Sequence, residues 1–253
     1  MNKRPLILIS NDDGVTAKGI SVLTEIMKDF GDVVVVAPDS PMSGMSSALT
    51  SESPLIVNKI SEEKGCVVYS CSGTPADCVK LGFNELLDRK PDFVVGGINH
   101  GANSSISVLY SGTMGVALEG CVHGVPSIAF SICNHDVDAD FSEATPWIRQ
   151  IFKRVMDEGI PKYTCLNVNI PKGRIEGVEA RRQALGIWNN EMEKRIDPRG
   201  REYYWLTGSF VNMEPDAEDT DLNALDNHKI SIVPVKIDMT ADAFINQIKN
   251  WDF

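Results

Sequence analysis

Short apolar runs ending in polar clusters recur along the first half of the chain. Leu6-Ile7-Leu8-Ile9 runs into Ser10-Asn11-Asp12-Asp13-Gly14, and Val33-Val34-Val35-Val36-Ala37 into a Ser-rich, Gly-containing loop from Pro38 to Ser47. Phe93-Val94-Val95-Gly96-Gly97-Ile98 runs into Asn99-His100-Gly101-Ala102-Asn103, and Ser127-Ile128-Ala129-Phe130-Ser131 supplies a fourth run. Continuous runs of this length predict strands buried on both faces, the usual state in parallel sheets. Between the first two, Ile20, Leu23, Met27 and Phe30 recur at helical spacing. Thr74-Pro75-Ala76-Asp77 joins an N-cap residue, a proline at the first helical position and an acid at the third. It predicts a helix from there to about Asp88, with Ala76, Val79, Phe83 and Leu86 on its apolar face. Another helix should begin near Thr113. Strands alternating with helices in this way specify a doubly wound α/β fold with a mostly parallel sheet.

The pattern changes further on. Leu55-Ile56-Val57 and Cys66-Val67-Val68-Tyr69, separated by charged residues, suggest a hairpin, and beyond residue 135 the alternation weakens. Trp147, Ile148, Ile151, Phe152 and Val155 mark one more amphipathic helix, and Leu166-Asn167-Val168-Asn169-Ile170 a strand. Tyr203-Tyr204-Trp205-Leu206 and Ile230-Ser231-Ile232-Val233-Pro234-Val235 read as sheet segments outside the first repeat. With no internal repeat and no obvious linker, one continuous body carrying an extension is expected.

Composition narrows the function classes. A chain of 253 residues with 43% apolar and 23% charged residues fits a globular enzyme and is too apolar for a disordered one. Its net charge of -11 argues against nucleic acid polymers and anionic membranes as partners, since both call for basic surface. A small anionic ligand remains compatible, because a cation and local amides can hold it. The six cysteines, at 66, 71, 78, 121, 133 and 165, show no zinc spacing, and reduced thiols are expected. Met-Asn-Lys-Arg-Pro leads straight into the first strand, and no apolar run reaches the roughly 20 residues of a membrane span. A cytoplasmic location is therefore expected.

The chemistry should lie at the strand ends. In open α/β sheets ligands bind outside the carboxyl ends of the strands, and there Asp12 with Asp13, Ser43 and Asn99 offer oxygen donors from three separate loops. Oxygen ligands suit Mg2+ or Mn2+ better than zinc. Asn-Asp-Asp-Gly is also a common turn, so convergence with the other loops is what favours a site. Tyr110-Ser111-Gly112-Thr113 offers hydroxyls and amides that either receive an anion at a helix start or merely cap the helix.

Ser10-Asn11-Asp12-Asp13-Gly14, Ala37-Pro38-Asp39, Ser43-Gly44, Gly73-Thr74-Pro75-Ala76-Asp77, Gly97-Ile98-Asn99 and Tyr110-Ser111-Gly112-Thr113 resemble, in order, the motifs of the SurE family of survival proteins. The resemblance continues through Asp197-Pro198-Arg199-Gly200, Thr220-Asp221 and Val233-Pro234. It implies a three-layer Rossmann-like domain with its core over about 1–184. An extension over about 185–253 would be exchanged between subunits in a homodimer or homotetramer. It further implies a metal-dependent 5'-nucleotidase that hydrolyses nucleoside 5'-monophosphates, with 3'-nucleotides and short polyphosphate as secondary substrates. Asp12, Asp13, Ser43 and Asn99 would hold one Mg2+ or Mn2+ per subunit, with Asp12 and Asp13 catalytic. Asn11, Ser43, Gly44, Asn99, Ser111, Gly112 and Thr113 would contact the substrate or its phosphate. The loop Asp39-Ser40-Pro41-Met42-Ser43 departs from familiar members in lacking basic residues before the serine, which puts substrate affinity in question before hydrolysis.

Two rivals stand beside this reading. A dinucleotide-dependent oxidoreductase would need glycines where the turn Asn11-Asp12-Asp13-Gly14 places two acids against a pyrophosphate. A non-catalytic nucleotide-binding stress-response module would keep the pocket without turnover, and fold alone does not separate it from the enzyme.

Overall fold

The structure is a computed structural model that describes residues 3–251. Residues 1 and 2, the start of the amino-terminal reading, and 252 and 253, the end of the expected extension, lie outside the described residues. The chain runs β1 (Leu6–Ser10), α1 (Lys18–Lys28), β2 (Asp32–Pro38), β3 (Val57–Glu63), β4 (Cys66–Cys71), α2 (Pro75–Leu81), β5 (Phe93–His100), α3 (Gly112–Val122), β6 (Ser127–Ile132), α4 (Ala144–Glu158) and β7 (Thr164–Ile170). It continues through β8 (Gly177–Ala180), β9 (Gly186–Asn189), β10 (Met192–Ile196), β11 (Glu202–Leu206), β12 (Ser209–Asn212), α5 (Asp221–Asp226), β13 (Lys229–Lys236) and α6 (Asp242–Ile248).

A nine-stranded sheet in the order β3-β4-β2-β1-β5-β6-β7-β13-β8 forms the middle layer. The six strands from β4 to β7 are mutually parallel. The strand order reverses at β1, with β2 on one side and β5 on the other, and a crevice is expected at such a switch point. Alternate side chains of β1 feed opposite cores. Ile7 and Ile9 join Leu23 and Met27 of α1 and Ile148 and Phe152 of α4, whereas Leu8 joins Cys78 and Val79 of α2 and Val116 of α3. Phe152 meets Phe30 and Phe93 edge-to-face at 5.1 and 5.2 Å, so its truncation to alanine should cost about 3–5 kcal/mol.

Three elements differ from the sequence pattern. The helix from Thr74 narrows its expected span: α2 ends at Leu81, a π turn covers Gly82–Leu86, and Leu87 is already extended. The Asn84 side chain donates to the Lys80 carbonyl at 2.7 Å, competing with the regular ladder, as such amides do. The hairpin forms, but β3 begins at Val57. Leu55 and Ile56 lie before it, and Ile56 is held by reciprocal bonds with Ser72. Within the expected extension, β13 returns to the main sheet, where it pairs antiparallel with β7 and parallel with β8. Among the described residues, β9 with β12 and β10 with β11 stand apart as two-stranded pairs.

Candidate functional site

Asp12 and Asp13 follow β1 in a turn tied down on both sides. Asn11 Nδ2 donates to the Gly14 carbonyl at 3.0 Å, and Gly14 takes φ +98°, a conformation that favours glycine. The Met42 amide donates to the Asp12 carbonyl at 2.7 Å, and the Val15 amide to the Pro38 carbonyl at 2.8 Å. These two bonds fasten the Ser43 loop to the acidic turn. The far end of that loop is held by Ser46, whose amide and hydroxyl donate to the carbonyls of Tyr110 and Leu109 at 3.1 and 2.8 Å.

The Asp12 carboxylate is 4% exposed and accepts a hydrogen bond from the Thr113 hydroxyl. Burial raises its pKa to about 6, with the neighbouring Asp13 charge pushing the same way and the Thr113 bond opposing. Asp13 is also raised, chiefly by burial, although its Oδ2 accepts from the His100 amide at 3.1 Å. Neither carboxylate has a Lys or Arg partner among the described residues. Asn99, at the end of β5, donates its Nδ2 to the Gly101 carbonyl at 2.7 Å, which leaves its side-chain oxygen as the available atom.

These loops open into a cavity of about 420 Å³, a size that suits a small molecule. Of the nine residues singled out from sequence, Asp12, Ser43, Gly44, Asn99 and Ser111 line it. The other four are not part of its lining. Asn11 is buried beneath the turn with its Oδ1 unpartnered, and Asp13 faces the His100 amide. Gly112 lies so close that a Cβ there would sit 2.7 Å from that of Asp12. Thr113 is fully buried, with its hydroxyl on Asp12 rather than toward the cavity. Ser111 caps α3, accepting from the Met114 amide at 3.0 Å, while also facing the cavity. No group of three or more His, Cys, Asp or Glu side chains suited to a metal occurs among the described residues, so a cation here would draw on neutral oxygens as well as carboxylates.

Sequence reading missed several neighbours. Asn103 lines the cavity and is held by a buried amide network: its amide donates to Asn169 Oδ1 at 2.7 Å, its Nδ2 to Ser131 Oγ at 2.8 Å, and its carbonyl accepts from Asn167 Nδ2 at 2.8 Å. Buried Asp221 then receives the Ser105 and Ala184 amides at 2.7 and 3.0 Å, fixing the turn that follows. The polar residues 167 and 169 in an otherwise apolar strand were the available signal. Trp188, Glu191, Leu206 and Thr207 complete the wall from far along the chain, and nothing local marked them.

Comparison with known proteins agrees with this architecture. The chain is similar to the 5'-nucleotidase SurE of Phocaeicola vulgatus, 51% identical over 251 residues covering 99% of this chain and 98% of that protein. It is 50% identical to the 5'-nucleotidase SurE of Bacteroides fragilis over 252 residues, covering 99% of each. The crystal structure of the SurE protein from Aquifex aeolicus superposes with a TM-score of 0.83 at 40% identity, covering 97% of this chain and 98% of that one. The family model "Survival protein SurE" matches residues 7–190, and the chain therefore belongs to the SurE family.

Proposed function

We propose that this protein is a metal-dependent 5'-nucleotidase that hydrolyses nucleoside 5'-monophosphates to nucleoside and phosphate. The observation that carries this is the convergence of Asp12, Ser43 and Asn99 from three strand-end loops on one cavity at the switch point of the sheet. Its relatives bear the name 5'-nucleotidase. The donor set suits Mg2+ or Mn2+: two adjacent, desolvated carboxylates have no Lys or Arg partner among the described residues, and the remaining donors are a hydroxyl and an amide oxygen. Asp12, Asp13, Ser43 and Asn99 would hold the ion, which supplies Lewis-acid neutralisation of phosphate charge.

The chain's own groups supply the rest. The Gly44 loop and Ser111, on the cavity wall, bind and orient the phosphate, and a carboxylate of the acidic turn accepts a proton from the attacking water. Water forms the new phosphorus–oxygen bond as the bond to the ribose oxygen breaks, and that oxygen takes up a proton to leave as the nucleoside hydroxyl. 3'-Nucleotides and short polyphosphate present the same terminal phosphate and are secondary substrates in this reading. The exposed aromatic hairpin β10–β11 supports a homodimer or homotetramer built through the 185–251 region, and six free cysteines support a reducing, cytoplasmic setting.

Phosphate release from 5'- and 3'-nucleotides and polyphosphate, with Mg2+, Mn2+ or chelator, tests the reading. Metal-dependent release lost in Asp12→Asn is expected. Monophosphate binding without release under any metal would replace the enzyme with a binding module.

A further inference from the structure

Resting on the nucleotidase reading, we infer that Trp188 and Glu191 form the nucleobase subsite and select guanine. A phosphate held at the sheet edge leaves the base to meet the rest of the wall, where Trp188, Glu191, Leu206 and Thr207 come in from the strands and turns of residues 186–207. Two features make that wall a built surface. Trp188 on β9 is the direct cross-strand partner of Phe210 on β12, and their rings meet edge-to-face at 5.8 Å. Phe210 in turn packs over Gly186, where a Cβ would clash with its ring, so the indole is braced on a fixed partner. A braced, half-exposed indole is a stacking platform that any base can use, favouring the larger purines.

Glu191 adds the discrimination. Its carbonyl accepts the Thr207 amide at 2.8 Å, which ties it to another residue of the same wall. Its carboxylate has no hydrogen-bond or ion-pair partner among the described residues. A carboxylate only accepts, so it matches an edge that offers two adjacent donors. Guanine presents N1–H and the 2-amino group side by side. Adenine and cytosine set one amino donor beside a ring-nitrogen lone pair, which repels the second carboxylate oxygen. Uracil offers a single N–H flanked by two carbonyls.

The test measures kcat/KM for GMP, AMP, CMP and UMP, each normalised to ribose 5-phosphate, in wild type, Glu191→Gln and Trp188→Ala. Wild type should prefer GMP over AMP by about tenfold or more, the scale of one bidentate base contact. Glu191→Gln should collapse that ratio toward unity, because a glutamine amide pairs with either purine. Trp188→Ala should raise KM for every nucleotide, most for purines. Equal normalised rates for all four bases in wild type, or a GMP:AMP ratio that survives Glu191→Gln, would overturn the subsite while leaving the nucleotidase intact. Release from none of the five compounds would overturn both.

Discussion

The hydroxyl of Thr113, in the first turn of α3, donates to the carboxylate of Asp12, 101 residues earlier in the chain. It is the only side-chain donor on that carboxylate among the described residues. Thr113 therefore positions the acid from behind, and its methyl fills fully buried space.

Replacing Thr113 by valine keeps the volume and removes the donor. Partners that orient a metal-binding carboxylate typically contribute about 10- to 100-fold in metal affinity or activity, and a loss of that size is expected here. Phosphate release at varied cation concentration checks it, with Thr113→Ser restoring most of the activity. An unchanged cation dependence in Thr113→Val would show that the bond does not position Asp12.

Asn169 lies under the cavity floor rather than in it, accepting the Asn103 amide at 2.7 Å. Asn169→Ala strands that buried amide, which should cost about 1–3 kcal/mol in urea unfolding. Because Asn103 faces the cavity, KM should also rise several-fold. Stability lost with an unaltered KM would confine Asn169 to a structural role.

Asp77 holds the start of α2. Its carboxylate accepts the Thr74 amide at 2.9 Å and the Thr50 amide at 3.1 Å, while the Thr74 hydroxyl accepts the Asp77 amide at 3.2 Å. Burial raises its pKa, but the Thr50 and Thr74 bonds outweigh it and the net shift is downward. The sign follows: the contribution is complete above the unfolded value of about 3.9 and is lost as pH falls through the lower folded value. Asp77→Ala should lose about 1–2 kcal/mol at neutral pH, with the gap to wild type closing in acid. Parallel urea titrations at pH 7 and pH 3 measure it; a gap that widens in acid would contradict the assignment.

The hairpin β10–β11 carries Tyr203, Tyr204, Trp205 and Leu206 in the open, with Trp205 62% and Leu206 75% exposed. Tyr203 and Trp205 share one face of the strand with their rings 6.4 Å apart, and an exposed aromatic pair of this kind marks an association face. Sedimentation should give a particle heavier than the 27.7 kDa chain, and Tyr203→Ser with Trp205→Ser should shift it toward that mass. A wild-type particle at the mass of one chain would remove the hairpin from any assembly.

What was legible in the sequence follows a physical division. Strands β1, β2, β5 and β6 were readable because burial on both faces leaves an uninterrupted apolar run, and the polar clusters after β1, β2 and β5 send Asp12, Ser43 and Asn99 to one cavity. The Thr74 start was readable because a capping box is local. The position of β13 was not, since nothing within residues 229–236 says which strand they will meet. Thr113 shows the same limit inside the site: its sequence position suits an anion at a helix start, but the fold turns its hydroxyl onto Asp12. Trp188 and Glu191 reach the cavity only through the return of β9 and the hairpin, so no local spacing announces them.

The insertion of β13 between β7 and β8 also sets an order of assembly. Strand β8 lies at the edge of the sheet and, among the described residues, pairs there with β13 alone, more than 45 residues later. During synthesis, residues 177–180 must wait without their sheet partner until Ile232 has left the ribosome, while strands β1 to β7 are already complete. The carboxyl-terminal segment thus acts as a clasp on a nearly finished domain. A ribosome that stops inside the hairpin would release a chain holding Asp12, Ser43 and Asn99 but with the edge of β7 bare, a ready template for pairing with another chain.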